Sequence, residues 1–308
     1  LADRLVIGSR GSQLALWQSN WVKSKLEAAH PGIDVELQII TTTGDRVLNV
    51  SLPKLGEQGK GLFTKELEDA ILQRRVDIAV HSLKDLPTDL PEGLKLGAVC
   101  EREDVRDALV ARHGINSFEE LPVAARIGTS SLRRQSQIRS VRPDLIIEPI
   151  RGNVDTRLRK LESGEYDALI LAAAGLRRLG RDNSITQYLG PDLVLPAVGQ
   201  GAVAVETRED DPYVNKLVNS IQDNVTRIAC DAERSFLKAL GGGCLVPIAA
   251  LAQIEGQTLI IEGLVASPDG AEIVRGNEAG PATNPVAIGI GLADQLLQRG
   301  AGRLLART

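Results

Sequence analysis

From Arg4 to Leu171 the chain alternates short strand-like runs with helical stretches, and this order constrains the fold more than any other feature. Arg4–Ser9 reads as a strand, and Gln13–Ala29 as a helix with Leu14, Trp17, Trp21 and Val22 on one face. His30-Pro31-Gly32 stops that helix, after which Val35, Leu37 and Ile39 alternate as a strand does. Phe63–Arg74 reads as a helix, and Val76–His81 as a buried strand running into Ser82-Leu83-Lys84-Asp85. A second set follows, with strands at Asp107–Ala111, Arg126–Gly128, Leu145–Glu148 and Asp167–Leu171 and helices after Thr129 and Asn153. Such a βαβα order predicts an α/β fold, with parallel sheets covered by helices on both faces. From about Asn224 the pattern changes to a helix Val225–Leu240, strands Ile248–Ile254, Thr258–Ala266 and Glu272–Gly276, and a helix Val286–Gln298. That tail reads as a smaller α+β domain. At 308 residues, two or three domains are expected.

In parallel sheets, ligands bind beyond the carboxyl ends of the strands. The segments there are Ser9-Arg10-Gly11-Ser12, His81 to Asp85, Gly128-Thr129-Ser130-Ser131 and Arg151-Gly152-Asn153, all rich in donors and cations. At Gly128 to Arg134 a strand end passes into a helix N-terminus, where three hydroxyl residues can cap and free N–H groups attract an anion. Arg133 and Arg134, one residue apart, are expected to point to different sides of that helix. Arg151 and Arg157 can each grip a carboxylate bidentately, and Gly152 permits a tight turn between them. Asp85 stands beside Lys84, where its ionised form is favoured and could stabilise a cationic intermediate or relay protons; the same residue type also caps turns such as Leu86-Pro87.

Cys244 closes the run Gly241-Gly242-Gly243. A thiol on a glycine-rich loop has room for a bulky group on its sulfur, although a lone cysteine also serves as a small apolar side chain. A tethering thiol with many arginines points to a covalently held polyanion. The net charge of −4 hides a basic stretch, since Leu121 to Arg181 holds 12 Lys+Arg against 6 Asp+Glu. Such a stretch focuses field on an anion, or forms a solvated basic face. The acidic chain and its 3% aromatic content oppose nucleic-acid binding. Three cysteines and three histidines show no metal-ligand spacing, so no metal is expected, and the few cysteines favour a reducing compartment. No apolar run reaches membrane-spanning length. The chain opens on a strand-like run with no signal-peptide pattern and without an initiator Met, which leaves a removed targeting segment open.

Read together, these residues resemble the hydroxymethylbilane synthase (porphobilinogen deaminase) family of tetrapyrrole biosynthesis. The most specific match runs from Glu233-Arg234-Ser235-Phe236 through Leu240 to Gly242-Gly243-Cys244-Leu245-Val246-Pro247-Ile248-Ala249. Arg10 to Leu16, Gly59 to Leu67, Asp77 to Thr88, Gly128 to Gln135, Arg151 to Arg157 and Leu195 to Ala202 complete it, in order. The resemblance implies a transferase that deaminates four porphobilinogen molecules, joins them head to tail and releases 1-hydroxymethylbilane by hydrolysis. It implies a dipyrromethane cofactor held by a thioether at Cys244. Asp85 matches the family's essential carboxylate. Ser82, Lys84, Thr129, Ser130, Ser131, Arg133, Arg134, Gly152, Asn153 and Gln200 match cofactor-binding positions. Arg10, Ser12, Phe63, Arg151, Arg157 and Arg178 match substrate-binding positions.

The resemblance further implies two α/β domains like periplasmic binding proteins, with mainly parallel sheets and the active cleft between them, plus the smaller C-terminal α+β domain. Domain 1 would comprise residues 1–101 and 200–220, domain 2 residues 102–199, and domain 3 residues 221–308. A monomer in the cytoplasm is implied, or in the plastid stroma if a transit segment was removed, with no nucleic-acid or membrane partner. One departure is the run Lys54 to Lys60, which looks longer than the family's, so no role is carried over to Lys54 or Lys60. The reading that competes is a two-lobed anion-binding module without catalysis, which explains the arginines but neither Asp85 nor the thiol.

Overall fold

The structure is a computed structural model that describes residues 4–46, 63–242 and 247–306, without the side chains of residues 45 and 46. The chain divides into two compact units, Leu1–Glu103 with Ala202–Arg227, and Asp104–Gly201 with Ile228–Thr308.

The first unit is built from β1 (Arg4–Ser9), α1 (Gln13–Ala29), β2 (Asp34–Ile39), the short α2 (Thr43–Arg46), α3 (Lys65–Leu72), β3 (Ile78–Ser82) and β4 (Leu94–Val99). The chain then leaves and later returns with a reversed strand and a helix. In the second unit the elements are β5 (Asp107–Ala111), β6 (Arg126–Gly128), α4 (Leu132–Val141), β7 (Ile146–Glu148), α5 (Val154–Glu162), β8 (Ala168–Ala172), α6 (Ala173–Arg178) and β9 (Gln187–Leu189). The returning elements are β10 (Val203–Arg208) and α7 (Pro212–Asn219). Last come α8 (Asn224–Ala239), β11 (Ile248–Glu255), β12 (Thr258–Ala266), β13 (Ile273–Pro281), α9 (Pro285–Gln298) and α10 (Ala301–Leu305).

The two five-stranded sheets share one plan. The first has order β2-β1-β3-β10-β4 and the second β7-β6-β8-β5-β9. In each, the first three strands are parallel, the fourth is antiparallel to both neighbours, and the fifth runs with the first three. The sheets are therefore mainly parallel, with β10 and β5 reversed. β5 was expected in a parallel pattern; periodicity gives a strand's burial and not its direction. Both faces of the sheets are covered, so the strands read as nearly continuous apolar runs. In the first unit Leu5, Ile7, Val35, Val80 and Val203 pack with Val22 and Leu26 of α1, and Leu67 and Ile71 of α3 cover the other face.

One helix face departs from the sequence reading. The buried residues of α1 are Gln18, Ser19, Val22 and Leu26, while Trp17 stays 36% exposed and stacks on Trp21. Trp21 is half-buried against this core, and two polar side chains are fully buried beside it because each finds a partner there. Gln18 Nε2 donates to Ser82 Oγ at 2.9 Å, and Ser19 Oγ to Ser9 Oγ at 2.7 Å.

The third sheet is an antiparallel meander, β11-β12-β13, whose first hairpin closes from Glu255 to Thr258 with Gly256 at φ +63°. Phe236 of α8, Leu240 just after it, and Leu292 and Leu296 of α9 pack on Ile261 and Val265. The Ser267-to-Gly270 turn of this sheet rests on α4, where Arg139 Nη1 donates to Pro268 O at 3.0 Å. Among the described residues no helix is long and apolar enough to cross a membrane.

Candidate active site

Because β1 and β3 are adjacent and parallel, their carboxyl ends bring Arg10 and Ser12 to the same sheet edge as Ser82, Lys84 and Asp85. Ser12 caps α1, its Oγ accepting from Ala15 N–H at 3.3 Å. The Arg10 guanidinium lies 4.3 Å above the Phe63 ring. After β3 the chain makes a single 3-10 turn, Leu83–Asp85, tied down by Leu83 N–H donating to Ala202 O at 3.0 Å. This turn presents Asp85 to solvent, where its carboxylate makes no hydrogen bond among the described residues. One residue before Ser82, His81 Nε2 is 3.0 Å from Oε2 of the fully buried Glu206. Burial pushes the neighbouring Glu68 carboxyl of α3 above its ordinary range.

The second unit repeats the layout. The carboxyl ends of β6, β7 and β8 bring together Thr129 to Ser131, Arg151 to Asn153, and Arg178. Ser130 Oγ donates to Ile150 O at 2.8 Å and accepts from Ile150 N–H at 3.0 Å, clasping two of these loops. Thr129 Oγ1 accepts from Ser131 N–H, and Ser131 makes no side-chain cap. None of the three hydroxyls therefore caps α4 as expected; those of Thr129 and Ser130 brace the loop, and the helix's first turn stays uncapped. α5, in contrast, is capped by Asn153, whose Oδ1 accepts from Thr156 N–H at 2.9 Å. Gly152, at φ +109°, shapes the turn before it, and Arg157 Nε locks that turn by donating to Gly152 O at 2.8 Å. Arg151 is half-buried and has no partner among the described residues. Arg178 is buried and donates to Gly201 O at 2.6 Å.

Arg133 and Arg134 depart from expectation. They do not diverge: Arg133 Nη1 reaches Oδ2 of Asp107 at 2.8 Å and Arg134 Nη2 reaches Oδ1 at 2.7 Å. Consecutive helical residues start roughly 100° apart, but an arginine is long enough for both to converge. Burial alone would raise the Asp107 pKa; the two guanidiniums outweigh it and hold the carboxyl far below its usual range. Gln200 Nε2 adds a third side-chain donor at 2.9 Å. Asp107, Gln18 and Glu206 are absent from the sequence-derived site; the one signal for Asp107 is an acid opening an otherwise apolar strand.

Cys244, Lys54 and Lys60 lie outside the described residues. Among the described residues no cluster of metal-ligating side chains occurs.

Residues 5–216 match the family model described as "Porphobilinogen deaminase, dipyromethane cofactor binding domain", and residues 227–298 match "Porphobilinogen deaminase, C-terminal domain". The chain belongs to the porphobilinogen deaminase family. The porphobilinogen deaminase of Syntrophobacter fumaroxidans is 52% identical over 306 residues, 99% of this chain and 98% of that one. That of Roseiflexus sp. is 51% identical over 306 residues, 99% of this chain and all of the other, at 100%. Among solved structures, the methionine binding protein MetQ is 13% identical with a TM-score of 0.44, covering 73% of this chain and 92% of that one. A porphobilinogen deaminase carries a dipyrromethane cofactor, and the donors on the second unit fit such a group. Its ionised substituents are carboxylates, and here stand an arginine with no partner among the described residues, an uncapped helix start, and a buried Arg134 Nε that is likewise unpaired.

Proposed function

We propose that the protein is a hydroxymethylbilane synthase. It deaminates four porphobilinogen molecules, joins them head to tail and releases the linear tetrapyrrole by hydrolysis. The observation that carries this reading is the tandem match of both family domains along one chain, residues 5–216 and 227–298. When bound, the dipyrromethane supplies the primer from which the pyrrole chain grows, and Cys244 would hold it through a thioether.

The chain's own residues have three tasks. Porphobilinogen carries an acetate and a propionate, and Arg10, Ser12, Arg151, Arg157 and Arg178 bind these carboxylates, with Phe63 beneath the Arg10 guanidinium. Ser82, Lys84, Thr129, Ser130, Ser131, Arg133, Arg134, Gly152, Asn153 and Gln200 hold the cofactor's side chains and backbone-facing edges. Asp85 does the chemistry. Loss of ammonia from porphobilinogen leaves a cationic methylene-pyrrolenine, and an exposed carboxylate accepting the pyrrole N–H stabilises the charge as it develops.

We further propose three domains, residues 1–101 with 200–220, 102–199 and 221–308, acting as a monomer in the cytoplasm without nucleic-acid or membrane partners. Purified protein given porphobilinogen should release ammonia and a linear product that cyclises with loss of water to a uroporphyrinogen. Binding of porphobilinogen without ammonia release would instead favour the anion-binding module.

A further inference from the structure

Asp107 is fully buried at the start of β5, and three side chains from two other segments donate to it: Arg133, Arg134 and Gln200. Gln200 belongs to the strap Leu195 to Gly201, which is fastened along its length. Arg133 Nη1 and Gln137 Nε2 both donate to Leu195 O, at 2.7 and 3.1 Å. Gly199 N–H donates at 2.7 Å to the buried Glu233 of α8, whose other oxygen accepts from Ala252 N–H at 2.9 Å. Glycines at φ +70° and +89° flank Gln200 and let the strap turn its side chain inward.

Two guanidiniums this close repel one another, and without an anion between them they would separate. One buried carboxylate gripping an Nη of each removes that repulsion and cancels one of the two charges. Among the described residues, Arg133 Nε and Nη2 and Arg134 Nε remain without partners. The pair is thus fixed in place with a net charge of about +1 and with donors to spare.

We propose that Asp107 is a positioning residue for carboxylate recognition, holding Arg133 and Arg134 in the orientation in which they grip the acidic pyrrole chain. This rests on the transferase reading. A pre-set grip loses less side-chain freedom on binding, so its effect falls on capture of the acidic pyrrole chain, the cofactor and the substrate units added to it, more than on the bond-making step.

The test uses the full-length protein and Asp107→Asn, with folded fraction, kcat and KM for porphobilinogen measured together. After incubation with porphobilinogen, the fraction carrying a pyrrole adduct is read by intact mass. The expected result is a KM raised by about tenfold or more, a kcat per folded molecule changed much less, and a lower adduct fraction. A lowered melting temperature with unchanged KM and adduct fraction would mean a structural role and would overturn the proposal. If Asp107→Asn does not fold, Asp107→Glu decides, since it keeps the charge but displaces the carboxylate by a methylene. A KM raised about threefold supports positioning, and an unchanged KM overturns it. Wild-type protein that consumes no porphobilinogen would remove the transferase reading itself, and this proposal with it.

Discussion

Gln18 Nε2 donates to Ser82 Oγ at 2.9 Å, joining the core face of α1 to the last residue of β3. The side chain is only 2% exposed, so its amide has exchanged water for this one hydroxyl. The bond holds the strand end from which Lys84 and Asp85 project. Gln18→Ala is predicted to cost about 1–2 kcal/mol in denaturant unfolding and to lower kcat several-fold. An unchanged kcat would separate this bond from the active turn.

Asp85 offers the sharpest contrast between fold and chemistry. Its carboxylate is exposed and, among the described residues, makes no hydrogen bond or ion pair. Asp85→Asn is therefore predicted to leave the melting temperature and the attached cofactor intact while removing turnover. Turnover near the wild-type rate would sink the role assigned to this group.

The turn before α5 depends on Gly152. At φ +109° a side chain is strained, and a Cβ there would lie 2.6 Å from Thr156 Cγ2. Gly152→Ala should destabilise the protein by about 1–3 kcal/mol and raise KM for porphobilinogen, because Arg151 and Arg157 flank the turn. Thermal melts and steady-state kinetics check the two effects separately.

The depressed Asp107 pKa gives a pH signature. Such a group contributes its full stability above the unfolded carboxylate value of about 3.9 and loses it as pH falls toward the folded one. The stability gap between wild type and Asp107→Asn is thus expected to be flat from neutral pH down to about pH 4 and to shrink below that. Urea unfolding of both proteins across this range measures it. A gap that widens in acid would contradict the ion-paired assignment.

How far these features can be read from sequence depends on how local they are. The bounds of β1, α1 and β12 coincide with those expected, because glycines, prolines and caps next to each element define them. The reversal of β5 and β10 is invisible, since alternation carries no direction. The buried face of α1 is read only in part: Val22 and Trp21 meet the core as expected, but Gln18 and Ser19 do so through Ser82 and Ser9, which only the folded sheet brings near. Asp107 goes unrecognised for the same reason, its donors lying 26, 27 and 93 residues away. Arg133 and Arg134 are legible as candidate anion-binding residues from their place at a helix start, Gln200 only through the family resemblance, and their shared carboxylate only in the structure.

The central claim is a transferase primed by a covalent dipyrromethane, and the intact mass of the purified protein under denaturing conditions, with a peptide map, tests it most directly. The prediction is an excess equal to two linked pyrroles on Cys244, absent from Cys244→Ser. An adduct mapped to Cys100 or Cys230, or an unmodified polypeptide that stays unmodified after incubation with porphobilinogen, would contradict it.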